Sequence, residues 1–348
     1  MRNSIIEEDL QYITSQDLPW HELKDKTILI SGANGFLPAY VVETLLYLNE
    51  INNYNMKVIG LVRNRTKAEH RFKDYLARND LELLVQDVCT SVTITQKIDV
   101  IIHAASQASP KYYGIDPVGT IKPNVVGTLN LLEHASLNKV LDFIYFSSGE
   151  VYGQMASDGP IGEGDFGFID PMKVRSCYGE SKRMGENICI SWSNQYGLPV
   201  KIIRPFHTYG PGMQLDDGRV YADFVSDVVN NRDIILRSDG SATRAFCYLA
   251  DFVVGLFTVL FWGKNQEAYN IASGQETSIR ELADLLVSLY PEKKLKVVQK
   301  CQKSSSGYIK SDISNSYPDI SKINELGWKQ RFSLEVGFRR TIESYVSV

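Results

Sequence analysis

Tyr178 and Lys182 form the pattern with the clearest chemical meaning in this sequence. They stand four residues apart in a segment, 178–196, that predicts a helix, so both side chains share one helix face. A phenol is a poor base at neutral pH because its pKa is about 10, and a neighbouring ammonium favours the phenolate and lowers that pKa. Ser148 follows an apolar strand and adds a hydroxyl that can share the proton. These residue types predict proton transfer to and from a bound hydroxyl group.

A glycine turn near the N-terminus predicts where phosphate groups bind. The apolar run 27–30 predicts a buried parallel strand, and the amphipathic segment 39–49 predicts a helix. Between them, Gly32 allows a tight turn, and Gly35 lets backbone N–H groups approach a pyrophosphate at the helix N-terminus. A strand, a glycine turn and a helix form the opening unit of a dinucleotide-binding fold.

Further apolar segments extend this unit into a parallel sheet. The chain is predicted to be an α/β protein with a Rossmann, doubly wound parallel sheet, and its next elements are strands at 57–62, 81–85, 99–105 and 142–146 and a helix at 124–134. In such a sheet the carboxyl ends of the strands line the ligand crevice. Ser148 and Glu150, which follow the strand at 142–146, are therefore expected to face that crevice.

From Gly210 the chain is richer in turns and predicts a smaller C-terminal lobe. The expected elements of this lobe are helices at 221–231, 251–262 and 279–289 (with Ser278 as the N-cap of the last), strands at 234–237 and 269–272, a surface loop at 304–307 and a closing helix that starts at Pro318.

The predicted organisation has three parts. Residues 1–24 are an N-terminal extension, with a helix at 7–15, that packs on the outside without chemistry. Residues 25–205 form the dinucleotide-binding domain and carry the catalytic residues. Residues 206–348 form mainly the lobe, with segments that return to the main domain.

Composition narrows the choice of partners. The 348 residues carry a formal net charge of −4, so nothing suggests nucleic acid or an anionic membrane. Five cysteines without CxxC spacing predict a reducing compartment and no zinc site. Acids at 7–9 stand where a signal peptide needs an apolar core, and the longest apolar run, 252–262, is too short to span a bilayer. We expect a cytoplasmic protein that binds no metal.

The end of the second strand bears on the choice of dinucleotide. An acid there would hold the adenosine ribose hydroxyls and favour NAD. This chain has Arg63 and Arg65 instead, which either contact a 2′-phosphate and favour NADP or form a solvated basic turn. Asp87 follows the strand at 81–85 and can accept a hydrogen bond from the adenine amino group. His103, on an apolar strand, is predicted to be structural.

Together these motifs resemble the extended short-chain dehydrogenase/reductase superfamily, and within it the NAD-dependent nucleotide-sugar epimerase/dehydratase group. The resemblance covers about 26–345 and includes the turn at 31–37, Ser148, the Tyr178/Lys182 pair and Arg-Pro-Phe-His-Thr-Tyr-Gly-Pro at 204–211. It implies that Tyr178 is the base and that Lys182 holds the nicotinamide ribose. It also implies that the C-terminal lobe binds a nucleotide-diphosphate sugar. The cofactor residues to which we assign NAD, or NADP, are Gly32, Asn34, Gly35, Phe36, Leu37, Arg63, Asp87, Val88, Ala104, Ala105, Ser106, Asn124, Ser147, Tyr178, Lys182 and Pro205.

Within this group the chain looks most like UDP-glucuronate decarboxylases, through the stretches 116–120, 175–178, 217–220 and 243–246. Those enzymes oxidise C4 of the sugar, lose the C5 carboxylate as CO₂ and reduce the ketone again. The resemblance implies catalytic roles for Ser148, Glu150 and Arg244 beside Tyr178 and Lys182. The residues predicted to bind substrate are Ser148, Gly149, Glu150, Arg175, His207, Arg219, Val220, Arg237 and Arg244; Arg219 and Arg237 have a solvated face as the alternative.

Three departures from the family pattern keep alternatives open. Pro38 replaces the third glycine of the turn, and a proline is tolerated in a first helical turn. His207 replaces an asparagine and puts the contact to the sugar diphosphate in doubt. Gly149 stands where a 4,6-dehydratase has an aspartic acid that protonates the leaving hydroxyl, which disfavours a dehydratase more than a decarboxylase.

A 4-epimerase needs only Tyr178, Lys182 and room to rotate the sugar. Glu150 and Arg244 can instead form a structural ion pair, and the chain can be a dinucleotide-binding protein without catalysis. If the protein is an enzyme of this kind, we expect the purified protein to carry bound cofactor, because an internal redox cycle needs no exchange of the cofactor. By the same resemblance, helices at 123–138 and 178–196 are expected to pair with their symmetry mates in a homodimer.

Overall fold

The fold is taken from a computed structural model, which describes residues 3–156, 159–300 and 315–346; the expected loop at 304–307 lies outside them. The described strands, in chain order, are Thr27–Ser31 (β1), Lys57–Val62 (β2), Leu81–Val85 (β3), Val100–His103 (β4), Asp142–Phe146 (β5), Val200–Pro205 (β6), His207–Tyr209 (β7), Ile234–Leu236 (β8), Thr243–Tyr248 (β9), Ala268–Ile271 (β10), Glu276–Ser278 (β11), Val297–Gln299 (β12) and Asn315–Ser316 (β13). The described α-helices are Ser4–Thr14 (α1), Phe36–Asn52 (α2), Arg65–Arg71 (α3), Pro117–Lys122 (α4), Thr128–Asn138 (α5), Cys177–Tyr196 (α6), Val220–Val229 (α7), Leu249–Trp262 (α8), Ile279–Ser288 (α9), Ser321–Glu325 (α10) and Leu334–Val346 (α11).

The predicted doubly wound parallel sheet is confirmed. Seven of the described strands pair in the order β10-β6-β5-β4-β1-β2-β3, and every pair is parallel. The strand order reverses between β1 and β4, where Ile30 lies opposite Ile102. A crevice opens at such a switch point, outside the carboxyl ends of the strands. The turn after β1 and the residues after β4, β5 and β6 therefore meet at one edge of the sheet.

Both faces of this sheet are covered by helices. Along β1, Ile28 and Ile30 pack into one apolar layer, and Leu29 packs into the layer on the other face. Strands that are buried on both faces show continuous apolar runs, which is why they were visible in the sequence. The sheet is thus a rigid base for the residues at its carboxyl edge.

Several elements differ from the prediction. The helix expected at 124–134 belongs to a longer helical segment made of α4, a π-helical turn at Pro123–Gly127 and α5. Pro123 has no N–H and obstructs a regular α-helix, which accounts for the break. Helix α2 begins at Phe36, so that Pro38 lies in its first turn as anticipated. Strand β6 was not predicted. Ser278 does cap α9, in a capping box with Glu281.

Residues 1–24, which were expected to pack on the outside of the main domain, are joined to it by one buried face of α1. Helix α1 buries Asp9, Leu10 and Ile13. The Asp9 carboxylate accepts hydrogen bonds from Tyr40 on α2 (3.1 Å) and from Tyr248 at the end of β9 (2.7 Å). The extension therefore joins α2 to the C-terminal half of the chain, and it is part of the core.

The remaining strands hold the second wall of the crevice. Strand β9 pairs with β7, β11 and β13, while β8 pairs with β12. Because β7 follows β6 almost directly, this small sheet stands next to the carboxyl edge of the main sheet. No helix in the described part of the chain has the length and apolarity needed to cross a bilayer.

Candidate active site

The glycine turn has the geometry that its sequence predicted. Gly32 has a φ of +66°, and a Cβ atom there would lie 2.7 Å from the Cα of Ala105, so only glycine fits without strain. The Ser31 hydroxyl accepts hydrogen bonds from the amides of Ala104 (3.1 Å) and Ala105 (3.0 Å) and contacts His103. The ends of β1 and β4 are thereby tied together.

His103 has the structural position that was predicted for it. Its ring nitrogens contact the hydroxyls of Ser31 (2.7 Å) and Thr128 (3.1 Å), both buried. Burial lowers the pKa of His103 to about 3, so the imidazole is neutral.

A cavity of about 350 Å³ opens where the glycine turn, the ends of β5 and β6, and α6 meet. Most of the predicted site residues line this cavity. They are Gly32, Gly35, Phe36, Leu37, Ala104, Ser106, Ser147, Ser148, Gly149, Glu150, Arg175, Tyr178, Lys182, Pro205, His207, Arg219, Val220 and Arg244.

The predicted acid–base group is assembled at one wall of the cavity. Ser148 lies close enough to the Tyr178 phenol to lower its pKa, and both residues line the cavity. Lys182, one turn further along α6, donates its Nζ proton to the carbonyl of Phe146 at 2.6 Å and lies 5.8 Å from the centre of the Tyr178 ring. The end of β5 thus supplies both the hydroxyl and the carbonyl against which the two helix residues are held.

The expected lowering of the Tyr178 pKa by Lys182 is not found in the protein alone. Burial is the largest effect and raises the pKa of Tyr178 to about 12, against a smaller lowering by Ser148. Burial also lowers the pKa of Lys182 to about 7, although Glu186 opposes it. Both shifts have the same reason, since a low-dielectric site disfavours the charged form of each group.

Glu150 pairs with Arg175 and not with Arg244, so the ion pair considered from the sequence was wrong in its partner. Two hydrogen bonds of 2.9 and 2.8 Å join the guanidinium of Arg175 to the two carboxylate oxygens of Glu150. Such a bidentate bond fixes the plane of both groups. Arg244 donates to the carbonyl of Thr243 at 2.6 Å and lines the same cavity from β9.

Gly149 is enclosed by an aromatic ring. A Cβ atom at this position would lie 2.9 Å from ring carbons of Phe206. An acidic side chain at 149 would therefore require the ring to move. The glycine at position 149, which departs from the family pattern, therefore agrees with the close packing of Phe206 at this position.

The far end of the cavity is basic. Arg219 donates to the carbonyl of Ala108 at 2.8 Å and pairs with Asp217. His207 lies near Arg219 and Arg244, and burial together with these two charges holds the pKa of His207 well below its usual range. A neutral imidazole and two guanidinium groups thus face this end, which suits an anionic ligand.

Several predicted residues do not line the cavity. Arg237 is exposed and faces Asp223, so its solvated-face alternative is correct. Asn124 is buried behind α6, where its amide donates to Ser181 at 2.9 Å. Arg63 and Asp87 are exposed. The predicted residues outside the cavity lining are Asn34, Arg63, Asp87, Val88, Ala105, Asn124 and Arg237.

Other residues that line the cavity were not predicted from the sequence. They are Pro38, Ala108, Pro110, Tyr113, Phe146, Phe206, Thr208, Gly218 and Tyr221. Most of these residues follow the end of a predicted strand or lie next to a motif residue. Their position in the chain was therefore the signal that could have identified them. Tyr113 gave no such signal, because it lies ten residues after His103 in an irregular stretch.

The fold and cavity define a dinucleotide-binding enzyme with the tyrosine–lysine arrangement of the short-chain dehydrogenase/reductase type. Residues 28–272 match the model of the NAD dependent epimerase/dehydratase family. The chain belongs to that family.

Relatives agree with this assignment. UDP-glucuronic acid decarboxylase 3 of Arabidopsis thaliana is 34% identical over 312 residues, which are 89% of this chain and 86% of that protein. UDP-glucose 4-epimerase of Thermotoga maritima, solved with UDP-glucose, is 26% identical with a TM-score of 0.79, over 92% of this chain and 99% of that one. UDP-glucuronic acid 4-epimerase of Bacillus cereus, solved with UDP-glucuronic acid and NAD, has a TM-score of 0.78 at 24% identity over the same shares.

The cofactor is NAD, and the residues present fit it. The Ser106 hydroxyl is buried in the cavity wall and finds no hydrogen-bond partner among the described residues. Gly32 and Gly35 leave the start of α2 open to a phosphate. Arg65 pairs with Glu69 one helical turn away, and both side chains are largely exposed.

Proposed function

We propose that this enzyme decarboxylates UDP-glucuronate to UDP-xylose through a 4-keto sugar. The observation that carries the proposal is the bidentate Glu150–Arg175 pair on the cavity wall that also holds Ser148 and Tyr178. The decarboxylase relatives, at 34% identity over most of both chains, support the same substrate. The basic end formed by Arg219 and Arg244 suits the diphosphate.

In the proposed reaction, the Tyr178 phenolate takes the proton of the C4 hydroxyl, and Ser148 shares that proton by hydrogen bonding. NAD, when bound, would supply the acceptor and donor of the C4 hydride, and its positive nicotinamide ring would oppose the effect of burial on the Tyr178 pKa. Lys182 would hold the nicotinamide ribose, and return of the proton from Tyr178 to the C4 oxygen completes the reduction.

The step between these two transfers breaks the bond from C5 to the carboxylate. The electron pair of that bond enters the C4 ketone and gives an enolate, CO₂ leaves, and C5 then takes up a proton. Arg175 orients the carboxylate, and the Glu150 carboxylate limits the positive charge that Arg175 presents. Limiting that charge is useful because a strong ion pair with the substrate would stabilise its carboxylate and oppose loss of CO₂.

The alternatives are a 4-epimerase and a 4,6-dehydratase. A dehydratase needs an acid beside Glu150, and the Phe206 ring against Gly149 leaves no space for one. An epimerase uses the same Tyr178 and Lys182 and gives an isomer of unchanged mass. A dinucleotide-binding protein without catalysis would leave every sugar unchanged.

We expect the purified protein to release CO₂ from UDP-glucuronate without added reductant, and to leave UDP-glucose, dTDP-glucose and GDP-mannose unchanged. Mass spectrometry of the products, with chromatography for isomers, checks this. Glu150→Gln should retain NAD but lose activity by about 10- to 100-fold, because it removes the charge partner of Arg175. Loss of water from a neutral sugar, or isomerisation of UDP-glucuronate, would replace the decarboxylase proposal.

We also propose a homodimer, formed by α4, α5 and α6 packed against their symmetry mates. Exposed apolar side chains on this surface support it, namely Val118, Ile121, Val126 and Met184. Light scattering at micromolar concentration should give twice the mass of the chain. The substitution Met184→Glu should lower the measured mass towards that of the monomer. Met172→Glu, at a more exposed methionine outside these helices, is the control. A wild-type monomer would contradict the proposal.

We propose a cytoplasmic location. The four described cysteines are free thiols, which supports a reducing compartment.

A further inference from the structure

The ring of Tyr113 contacts two of the functional side chains. It stacks on the ring of Tyr178, with centroids 5.0 Å apart and planes inclined by 15°. The guanidinium of Arg175 lies over the Tyr113 ring, 4.7 Å from its centre. Arg175 in turn holds Glu150, so one ring connects the proposed base with the proposed carboxylate site.

Tyr113 is itself held firmly. It is 1% exposed, and its hydroxyl donates to the carbonyl of Ala108 at 2.9 Å. That carbonyl also accepts from Arg219 at 2.8 Å, so Tyr113 and the basic end of the cavity share an anchor. A ring fixed at its hydroxyl and enclosed on its sides can impose an orientation on its neighbours.

We propose that Tyr113 is a positioning residue, which fixes the Tyr178 phenol against Ser148 and the Arg175 guanidinium against Glu150. The inference rests on the proposed roles of these partners. Stacking restricts rotation of the Tyr178 ring about its side-chain bonds, and the cation–π contact keeps Arg175 in the plane that its bidentate bond needs.

The environment of Tyr113 excludes a role as a second base. Burial raises the pKa of Tyr113 well above its usual value, with a further increase from Tyr178 nearby. Its hydroxyl is occupied by Ala108. Of these two adjacent phenols, only Tyr178 lies beside Ser148, which lowers the pKa of the Tyr178 phenol.

The test compares variants of the full-length holoenzyme. Tyr113→Met keeps buried apolar volume but removes the ring, and Tyr113→Leu serves in its place if that variant does not fold. We expect kcat to fall by about 10- to 100-fold with bound NAD retained, because small displacements of reacting groups cost that much. The pH dependence of kcat should also shift. Tyr113→Phe keeps the ring and should retain most of kcat. Tyr112→Leu, at the neighbouring tyrosine outside the cavity lining, should resemble wild type.

A second readout does not depend on turnover. With 3-fluorotyrosine incorporated at position 178, the ¹⁹F resonance of the holoenzyme should shift or broaden in Tyr113→Met and stay unchanged in Tyr113→Phe and Tyr112→Leu. An unchanged resonance with wild-type kcat in Tyr113→Met would overturn the inference. If wild type turns over no nucleotide sugar, the proposed function fails, and the fluorine resonance alone still decides on Tyr113.

Discussion

Replacing Tyr178 by phenylalanine is expected to lower kcat by about 10²- to 10⁴-fold while the protein keeps its fold and its bound NAD. The substitution removes only the hydroxyl beside Ser148 and leaves the ring stacked on Tyr113. No other described phenol has the same relation to Ser148 and the cavity. Steady-state kinetics, with NAD measured after denaturation of the purified variant, checks the expectation.

Tyr196→Phe is the matched control, since Tyr196 ends the same helix and is exposed. It should leave kcat and KM unchanged. A Tyr178→Phe variant with more than about a tenth of wild-type kcat would show that proton transfer by this phenol does not limit the reaction. Ser148 and Lys182 would then need a different partner.

Replacing Arg340 by leucine is expected to destabilise the folded protein by about 3–5 kcal/mol, because it leaves a buried carboxylate without its charge partner. Arg340 on α11 contacts Asp9 at 2.7 Å, and Asp9 has no exposed surface. The same guanidinium donates to the carbonyl of Ile5 at 3.1 Å. Unfolding by denaturant, followed by circular dichroism, measures the loss.

This loss should depend on pH in a defined direction. Burial raises the pKa of Asp9 in the folded protein above its usual value, and Arg340 partly opposes this increase. A group with a raised folded pKa contributes stability below its unfolded pKa, and that contribution is lost as the pH rises through the folded value. Removing Arg340 raises the folded pKa of Asp9 further. The variant should therefore lose more stability, relative to wild type, at pH 8 than at pH 5.

Arg339→Leu is the control for this experiment. Arg339 is the adjacent residue of α11, exposed and paired with Glu335 at 3.3 Å, so its loss should cost less than about 1 kcal/mol. Equal destabilisation by the two substitutions, or a larger effect of Arg340→Leu at pH 5, would contradict the account of α1 as part of the core.

The elements that the sequence predicted best are those whose signal is local. Strands β2, β3 and β5 were predicted with their observed bounds, because each is a short run of mostly apolar residues. The helix of Tyr178 and Lys182 was one residue short at its start. Glycine turns are equally local, and the positive φ of Gly32 agrees with the role given to it. These features need no knowledge of distant residues.

The errors concern long-range contacts. The contacts of Asp9 were not predicted, because nothing near it in the chain shows that Tyr40, Tyr248 and Arg340 surround it. An ion pair of Glu150 with Arg244 was the structural alternative drawn from the sequence, whereas the fold brings Arg175 to Glu150. Arg237 was placed by its charge alone, and it is exposed.

The sequence by itself determined the doubly wound fold, the dinucleotide turn and the identity of the tyrosine, lysine and serine, since each depends on spacing within one element or on the order of strands. Only the tertiary structure decided which charges pair and which ring stacks on Tyr178. It also decided that the Phe206 ring lies against Gly149, where a side chain would contact it. Those answers depend on residues that are tens to hundreds of positions apart in the chain and are brought into contact when the sheet and the lobe pack together. Burial, which only the packed structure defines, also sets the pKa values of Tyr178 and Lys182.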